Sequence, residues 1–164
     1  MQHYTVIFLG DDDPPRRIML LKRAPWKEYA PGLYTGAGGH VEAGETAMQG
    51  AVRELEEEAG VVGIPLRPFA GLVCEDGDVI HYFYAVWENA GTVPECPEGE
   101  LSWSGVDAVE GLDLIPSTRF LLRLWRARGF RTDDPFTILW NETDPDVRPG
   151  LPAAQRQAAA AGSS

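Results

Sequence analysis

A glycine-rich stretch that leads into a capped helix constrains the fold of this chain more than any other feature of its sequence. Residues 36–61 read GAGGHVEAGETAMQGAVRELEEEAGV. Thr46 and Gln49 have the spacing of a capping box, in which each side chain bonds the backbone N–H of the other residue where a helix begins. Gly60 suits the left-handed conformation that ends many helices. These signals predict a helix over residues 46–59.

Four glutamates occupy five consecutive positions near the end of this predicted helix. At about 100° per residue, Glu54, Glu57 and Glu58 share one side of the helix, whereas Glu56 points elsewhere. Like charges one turn apart destabilise a helix, so the cluster is costly unless a cation joins the carboxylates. Carboxylate oxygens suit Mg²⁺ or Mn²⁺, hard ions that also bridge to phosphates. The alternative is a solvent-facing acidic stripe that binds nothing.

Two neighbouring features favour the metal interpretation. The glycine-rich stretch allows the backbone to come close to an ion or a phosphate, because glycine has no Cβ and accepts positive φ. Arg53 lies beside the acidic cluster, and Glu45 precedes it by eight residues. A bidentate pair between these two side chains would fasten the loop to the helix.

The rest of the chain alternates strand-like and helical segments. Residue patterns predict strands at residues 4–9, 18–22, 66–74, 79–87 and 136–142, a short edge strand at 101–103, and a second helix at 117–128. The predicted fold class is α+β, an α/β/α sandwich with a mixed β-sheet. We expect one domain over residues 1–143 and a mobile C-terminal tail over residues 144–164, which are rich in Pro, Ala and Gly.

Composition excludes several classes of function. The 164 residues carry a formal net charge of −11, which argues against a nucleic-acid or anionic-membrane surface because both require clustered Lys and Arg. No apolar run approaches a membrane span, and the first residues lack a secretion signal. Cys74 and Cys96 are too few for a disulfide framework or a zinc site. We therefore expect a cytoplasmic protein; its charge leaves a small phosphorylated ligand open, because a metal ion can invert the local sign of charge, and the sequence leaves a homodimer open.

Residues 39–61 resemble the Nudix box at every fixed position. The matching residues are Gly39, Glu45, Arg53, Glu54, Leu55, Glu57, Glu58, Gly60 and Val61. The flanking segments IMLLKR and GLYTGAGG are similar to flanks common in the family, and the resemblance extends over residues 4–140. It implies a Nudix-type sandwich in which the box forms a loop–helix–loop. It also implies an enzyme that hydrolyses the pyrophosphate linkage of a nucleoside diphosphate joined to another group, X.

The resemblance assigns roles within the box. The residues implied to hold the metal ions are Glu54, Glu57, Glu58 and, through its carbonyl oxygen, Gly38. The residues implied to be structural are Gly39, Glu45 and Gly60. Arg53, with Glu45, would hold the catalytic geometry rather than react.

The base that takes a proton from the attacking water varies within the family. It is either a box glutamate, here Glu54 or Glu57, or a carboxylate from a later loop. The late candidates are Glu98 and Glu100, of which Glu98 is preferred for its distance before Trp103. The alternative is that both late glutamates are ordinary loop acids.

Basic and aromatic residues near the box are candidates for substrate binding. Lys22 and Arg23 would contact substrate phosphates, with solvated basic residues at a strand end as the alternative. Tyr34 would stack on a nucleobase. Thr35 follows directly, beside the glycine-rich stretch.

Among Nudix subgroups, the resemblance is nearest to MutT-like purine nucleoside triphosphatases of the oxidised-dNTP type. It implies a (d)NTP pyrophosphatase that releases a nucleoside monophosphate. Thr35 and the Ser-Thr pair at residues 117–118 depart from the asparagine and the two aspartates that read the oxidised base there. The SQPWPFPxS segment of NADH-type members is absent. The alternatives are a nucleotide-sugar or dinucleoside polyphosphate hydrolase, or a Nudix-fold nucleotide-binding module without catalysis.

Overall fold

One mixed β-sheet with a helix on each face organises residues 1–89 and 92–141, the part of the chain that the computed structural model describes. The elements in chain order are β1 (His3–Gly10), β2 (Arg17–Arg23), β3 (Tyr34–Thr35), β4 (Ala37–His40), α1 (Ala47–Ala59), β5 (Arg67–Cys74), β6 (Val79–Val86), β7 (Gly99–Gly105), a 3-10 turn (Val109–Gly111), α2 (Pro116–Ala127) and β8 (Phe136–Trp140). Each predicted strand and helix is present. The predicted edge strand at 101–103 is longer, because β7 pairs with the whole of β2. The predicted tail at 144–164 lies outside the described residues.

Strand order places the glycine-rich stretch against the middle of the sheet. β1 pairs in parallel with β6 and antiparallel with both β2 and β4. In the last of these pairings, Gly38 and Gly39 of β4 lie opposite Val6 and Thr5 of β1. β5 and β6 form an antiparallel hairpin, and β8 runs parallel to β5. The short strand β4 thus fixes the loop from which α1 begins.

Alternate residues of β1 contribute to two separate cores, as expected where successive side chains point to opposite faces of a sheet. Ile7 and Leu9 pack with Leu55 of α1, whereas Phe8 packs with Trp125 of α2. The sheet therefore lies between the two helices, as the predicted α/β/α order requires. Neither α-helix in the described part of the chain reaches the length and apolar content that crossing a bilayer requires.

The ends of α1 follow the predicted capping residues. The hydroxyl of Thr46 accepts the N–H of Gln49 at 3.1 Å, and the side-chain oxygen of Gln49 accepts the N–H of Thr46 at 2.8 Å. Gly60 has a φ of 66°, in the left-handed region, and its N–H donates to the carbonyl of Glu56. The helix therefore starts directly after the glycine-rich loop and holds its acidic side chains beside β4.

Candidate active site

Arg53 joins the loop of the box to its helix. Its Nη2 donates to Oε1 of Glu45 at 2.7 Å and its Nε donates to Oε2 at 3.2 Å, which is the bidentate pair that the spacing predicts. The same Nη2 donates to the backbone carbonyl of His40 at 2.8 Å. The hydrogen bonds from Arg53 lower the pKa of Glu45, which also accepts the N–H of Glu42 at 2.7 Å. One guanidinium thus fixes both ends of the loop.

Glu54 packs against the backbone of Gly39. A Cβ at residue 39 would lie 2.5 Å from Oε1 of Glu54, so only glycine leaves room for the carboxylate there. Nη1 of Arg53 donates to the same oxygen at 2.9 Å. Burial raises the pKa of Glu54, although Arg53 opposes the rise. The negative charges of Glu57 and Glu98 raise it further, so the ionised form of Glu54 is destabilised despite its contact with a cation.

Glu58 is the buried carboxyl of the box, with 4% of its surface exposed. Its Oε2 accepts the N–H of Gly38 at 2.9 Å. Burial raises the pKa of Glu58 to about 7, and the hydrogen bond from Gly38 opposes that rise. The charges of Glu54 and Glu98 also raise this pKa, whereas the ammonium of Lys27 lowers it. Near neutral pH, the neutral and ionised forms of Glu58 therefore coexist.

Glu57 belongs to the predicted metal-binding set but faces solvent. Its side chain is 58% exposed, and its Oε2 lies 3.3 Å from Nη1 of Arg53. Within residues 1–89 and 92–141, no three carboxylate, imidazole or thiol groups are gathered closely enough to hold an ion as they stand. The box therefore carries one buried, one partly buried and one exposed carboxyl on the same side of α1.

The chemistry of these side chains fits a hard divalent cation. All three donors are carboxylates, the ligands that Mg²⁺ and Mn²⁺ prefer. Neighbouring negative charges contribute to the raised pKa values of Glu54 and Glu58, and a cation between them would favour both ionised forms. The role of the Gly38 carbonyl as a further ligand stays a prediction, because the contact from Gly38 to the box is made by its N–H.

Of the two late glutamates, Glu98 is the one whose charge affects the carboxyl groups of the box. Its charge raises the pKa of both Glu54 and Glu58. Its carboxylate accepts a hydrogen bond from the ammonium of Lys27. Glu100 is exposed and lies opposite Lys22 in the pairing of β2 with β7. Glu98 therefore has an electrostatic effect on the box, and its role as general base stays a prediction.

The predicted phosphate-binding residues differ in what they contact. Lys22 is exposed, and its ammonium lies 5.8 Å from the centre of the half-buried Tyr34 ring. Arg23 instead donates through Nε to the carbonyl of Tyr29 at 2.8 Å and lies over the Tyr29 ring. Lys22 and Tyr34 thus lie against each other, with Tyr34 packed on the core cluster that contains Trp125, whereas Arg23 fastens the loop between β2 and β3.

Thr35 and the start of α2 form a buried polar contact. The hydroxyls of Thr35 and Thr118 share a hydrogen bond of 3.0 Å, and both residues are buried. Ser117, also buried, makes a side-chain hydrogen bond to Tyr82. Thr35 and Thr118, which stand where the oxidised-base enzymes have polar readers of the base, are thus adjacent in space.

Residues 1–124 match the family model described as the NUDIX domain. The chain belongs to the Nudix family. Its predicted class, a Nudix hydrolase acting on pyrophosphate bonds, is therefore confirmed at the level of the family. Nudix hydrolases generally use divalent metals, in agreement with the oxygen-only donors of this box.

One relative of this Nudix chain is the NAD-capped RNA hydrolase NudC of Stutzerimonas stutzeri (strain A1501), 31% identical over 149 residues. The match covers 82% of this chain and 50% of NudC, so the chain spans half the length of that relative. A Nudix hydrolase from Nitrosomonas europaea has a similar crystal structure, with a TM-score of 0.69, 22% identity, and coverage of 85% of this chain and 78% of that one. The crystal structure of the MutT protein from Bacillus halodurans is also similar, with a TM-score of 0.60 and 22% identity, and the match covers 90% of this chain and 94% of that one. These likenesses confirm the predicted fold.

Lys27 is the residue of this Nudix site that the sequence does not reveal. It pairs with Glu98, 71 positions further along the chain, and it lies in the proline-containing loop between β2 and β3. No local spacing links two residues so far apart. The one available signal is that the chain contains only two lysines, Lys22 and Lys27, and both precede the box.

Proposed function

We propose that this Nudix protein hydrolyses the pyrophosphate linkage of a small nucleoside diphosphate-X compound. The first candidate reaction converts a (d)NTP to a nucleoside monophosphate and pyrophosphate. The observation that carries the proposal is a group of three mutually repelling carboxylates, those of Glu54, Glu58 and Glu98. A solvated acidic stripe would not bury one carboxyl to 4% exposure and place a second against a glycine backbone. A cation that binds a diphosphate accounts for both features.

The box glutamates Glu54, Glu57 and Glu58 would hold Mg²⁺ or Mn²⁺. When bound, the ion would supply Lewis-acid chemistry at the phosphoryl oxygens and assist the ionisation of water. Arg53 keeps Glu54 and Glu57 beside the loop through its Nη1. Its bidentate pair with Glu45 fixes the helix relative to β4, so that the carboxylates are pre-organised.

Glu98 is our proposed general base. It accepts a proton from the attacking water as the water oxygen bonds to phosphorus, and the bond from phosphorus to the bridging oxygen breaks. The leaving group departs with the bridging oxygen, as pyrophosphate after attack at the α-phosphorus of a (d)NTP or as the nucleoside monophosphate after attack at the β-phosphorus. Glu98 is preferred over Glu57 and Glu54 because both box residues would hold the ion. A base must also lie close to the carboxylates that would hold the ion, and Glu98 is close enough for its charge to raise the pKa of Glu58.

Lys22 and Tyr34 would bind the substrate. The exposed ammonium of Lys22 offers a positive charge to phosphate oxygens, and the adjacent Tyr34 ring offers a stacking surface for a base, a contact of about 1–3 kcal/mol. Thr35 bonds to Thr118, and neither side chain carries a charge. We therefore place unmodified (d)NTPs before oxidised purine nucleotides, whose recognition rests on buried polar partners.

A second candidate substrate is a dinucleotide, in which X is a mononucleotide. The name of the NudC relative, an NAD-capped RNA hydrolase, favours it at 31% identity. The lack of an SQPWPFPxS segment counts against it, and the chain spans only 50% of NudC. With a net charge of −11, we propose a free small molecule rather than RNA as the partner. The homodimer stays a prediction.

The test is a substrate panel with matched variants. Purified wild-type protein with Mg²⁺ is given (d)NTPs, oxidised dGTP, NADH, nucleotide sugars and dinucleoside polyphosphates, and the products are identified by mass spectrometry in H₂¹⁸O to locate the attacked phosphorus. Glu57→Gln should lower kcat on the preferred substrate by on the order of 100-fold. The control is Glu56→Gln, one position earlier and exposed, which should keep wild-type activity. No turnover of any panel member by a folded protein would contradict the proposal.

A further inference from the structure

The loop between β2 and β3 brings an ammonium group to the acidic cluster. Nζ of Lys27 donates to Oε2 of Glu98, and the two side chains are 27% and 39% exposed. A backbone hydrogen bond also joins this loop to Glu98, because the N–H of Ala24 donates to the carbonyl of Glu98 at 3.1 Å. The N–H of Lys27 in turn donates to the carbonyl of Ala24 at 3.2 Å. Lys27 and Glu98 are thus joined through both their side chains and the main chain.

The main chain on both sides of this pair is tightly held. A Cβ at Gly99 would lie 2.1 Å from the carbonyl oxygen of Lys22, so the first residue of β7 packs directly on the end of β2. With its carbonyl bonded to Ala24, the backbone of Glu98 has little freedom. The direction of the Glu98 carboxylate is therefore decided by its side-chain rotamers and by the groups around it.

Without Lys27, the remaining charged groups around Glu98 would turn its carboxylate away from the box. The carboxylates of Glu54 and Glu58 repel it, since the charge of Glu98 raises the pKa of both residues. Arg53, the nearest guanidinium of the box, is bonded to Glu45 and Glu54. Like charges in a partly buried site favour conformations that separate them. Lys27 supplies the opposite charge that holds Glu98 close.

We propose that Lys27 is a positioning residue that directs the Glu98 carboxylate toward the box helix, in the orientation from which Glu98 takes the proton of the attacking water. This inference rests on the proposed function and deepens it. Lys27 acts through Glu98 and does not contact the reacting atoms. Arginine in its place retains the charge, whereas methionine retains only the aliphatic chain.

A double-mutant cycle tests this role. Wild type, Lys27→Met, Glu98→Gln and the double variant are compared for kcat and KM on the preferred panel substrate at saturating Mg²⁺, with Glu28→Gln as the control for charge removal from the same loop. Lys27→Met should lower kcat by about 10- to 100-fold and leave KM within about twofold. Lys27→Arg should recover most of the loss, and the double variant should be no slower than Glu98→Gln.

Three kinetic results would overturn the proposal. Additive losses in the double variant would mean that Lys27 acts independently of Glu98. A raised KM with unchanged kcat would make Lys27 a substrate-binding residue. Wild-type kinetics of Lys27→Met would leave it no role.

An NMR measurement tests the pair without any turnover. Because the chain has only two lysines, ¹⁵Nζ-labelled lysine gives two ammonium resonances, and Lys22→Arg assigns them. In the metal-free protein, Glu98→Gln should shift the Lys27 resonance and Glu28→Gln should not. An unmoved Lys27 resonance would overturn the inference even in an active enzyme. If instead the resonance moves but wild type turns over no panel member, the proposed function fails while the ion pair stands.

Discussion

Replacing Glu58 by Gln should stabilise the metal-free protein at alkaline pH and leave its stability in acid almost unchanged. Burial raises the pKa of Glu58 from an ordinary value of 4.5 to about 7. Below pH 4.5 the carboxyl is protonated in both the folded and the unfolded chain, so it does not distinguish them. As the pH rises from 4.5 to about 7, the unfolded chain loses this proton first. The folded chain then binds more protons, and the free energy of unfolding falls.

The size of the effect follows from the two pKa values, which differ by about 2.5. At about 1.4 kcal/mol per pH unit, ionising Glu58 in the folded chain costs about 3 kcal/mol. Gln keeps an oxygen that accepts the N–H of Gly38 and never ionises, so this cost disappears in the variant. For a chain of this length, about 3 kcal/mol corresponds to a rise in Tm of about 6–12 °C.

Thermal melts in EDTA across about pH 4 to 8.5 measure the effect. The difference in Tm between Glu58→Gln and wild type should grow between pH 4.5 and about 7, where the unfolded chain has lost the Glu58 proton and the folded chain still holds it. Above neutral pH the difference should level off. Glu56→Gln is the matched control, since Glu56 is exposed on the same helix, and its difference from wild type should stay flat. A Glu58→Gln difference of equal size at both ends of the pH range would refute the reasoning.

Three further predictions follow from the geometry of the box. Gly39→Ala places a Cβ 2.5 Å from the mobile end of Glu54, so the Glu54 side chain should move aside. We expect little change in Tm but weaker Mn²⁺ binding in calorimetric titration, and unchanged Mn²⁺ binding would contradict this prediction. Arg53→Lys loses the bidentate contact to Glu45 and should lower kcat by about 10- to 100-fold in the panel assay; an unaffected kcat would mean that the loop is held otherwise. Millimolar Mg²⁺ should raise the Tm of the wild-type protein, by about 5–10 °C when the Mg²⁺ concentration is 100 times the Kd for Mg²⁺. An unchanged Tm at that concentration would argue against a metal site.

Local signals predicted α1 and its loop because each depends on residues close in the chain. The capping pair of Thr46 and Gln49 and the Arg53–Glu45 pair are set by spacings of three and eight residues, and the helix itself carries that geometry. Distant contacts were beyond the same reasoning. Glu58 follows Leu55 by three residues, so helical spacing places it nearer the buried face than Glu57. How deeply Glu58 is buried, however, depends on the packing of α1 on the sheet.

Arg23 and Lys27 show the same limit for the basic residues. The position of Arg23 at a strand end predicts a phosphate contact, which stays a prediction, but it does not reveal that Nε donates to the carbonyl of Tyr29. Lys27 reaches the acidic cluster only because β7 pairs with β2 and brings Glu98 alongside the intervening loop. The groups that these two basic side chains contact thus depend on strand pairing, and strand pairing is not encoded in any short segment.

The way Arg53 is shared explains why the acidic cluster stays receptive to a cation. Its two shortest hydrogen bonds, 2.7 and 2.8 Å, go to Glu45 and the carbonyl of His40, and only Nη1 reaches Glu54 and Glu57. If the arginine neutralised the cluster fully, an arriving cation would have to displace a formed ion pair. Because most of its donors fix the loop, the carboxylates stay close and incompletely neutralised, and a bound cation would relieve their repulsion. One guanidinium would thereby set both the rigidity of the loop and the affinity of the proposed metal site.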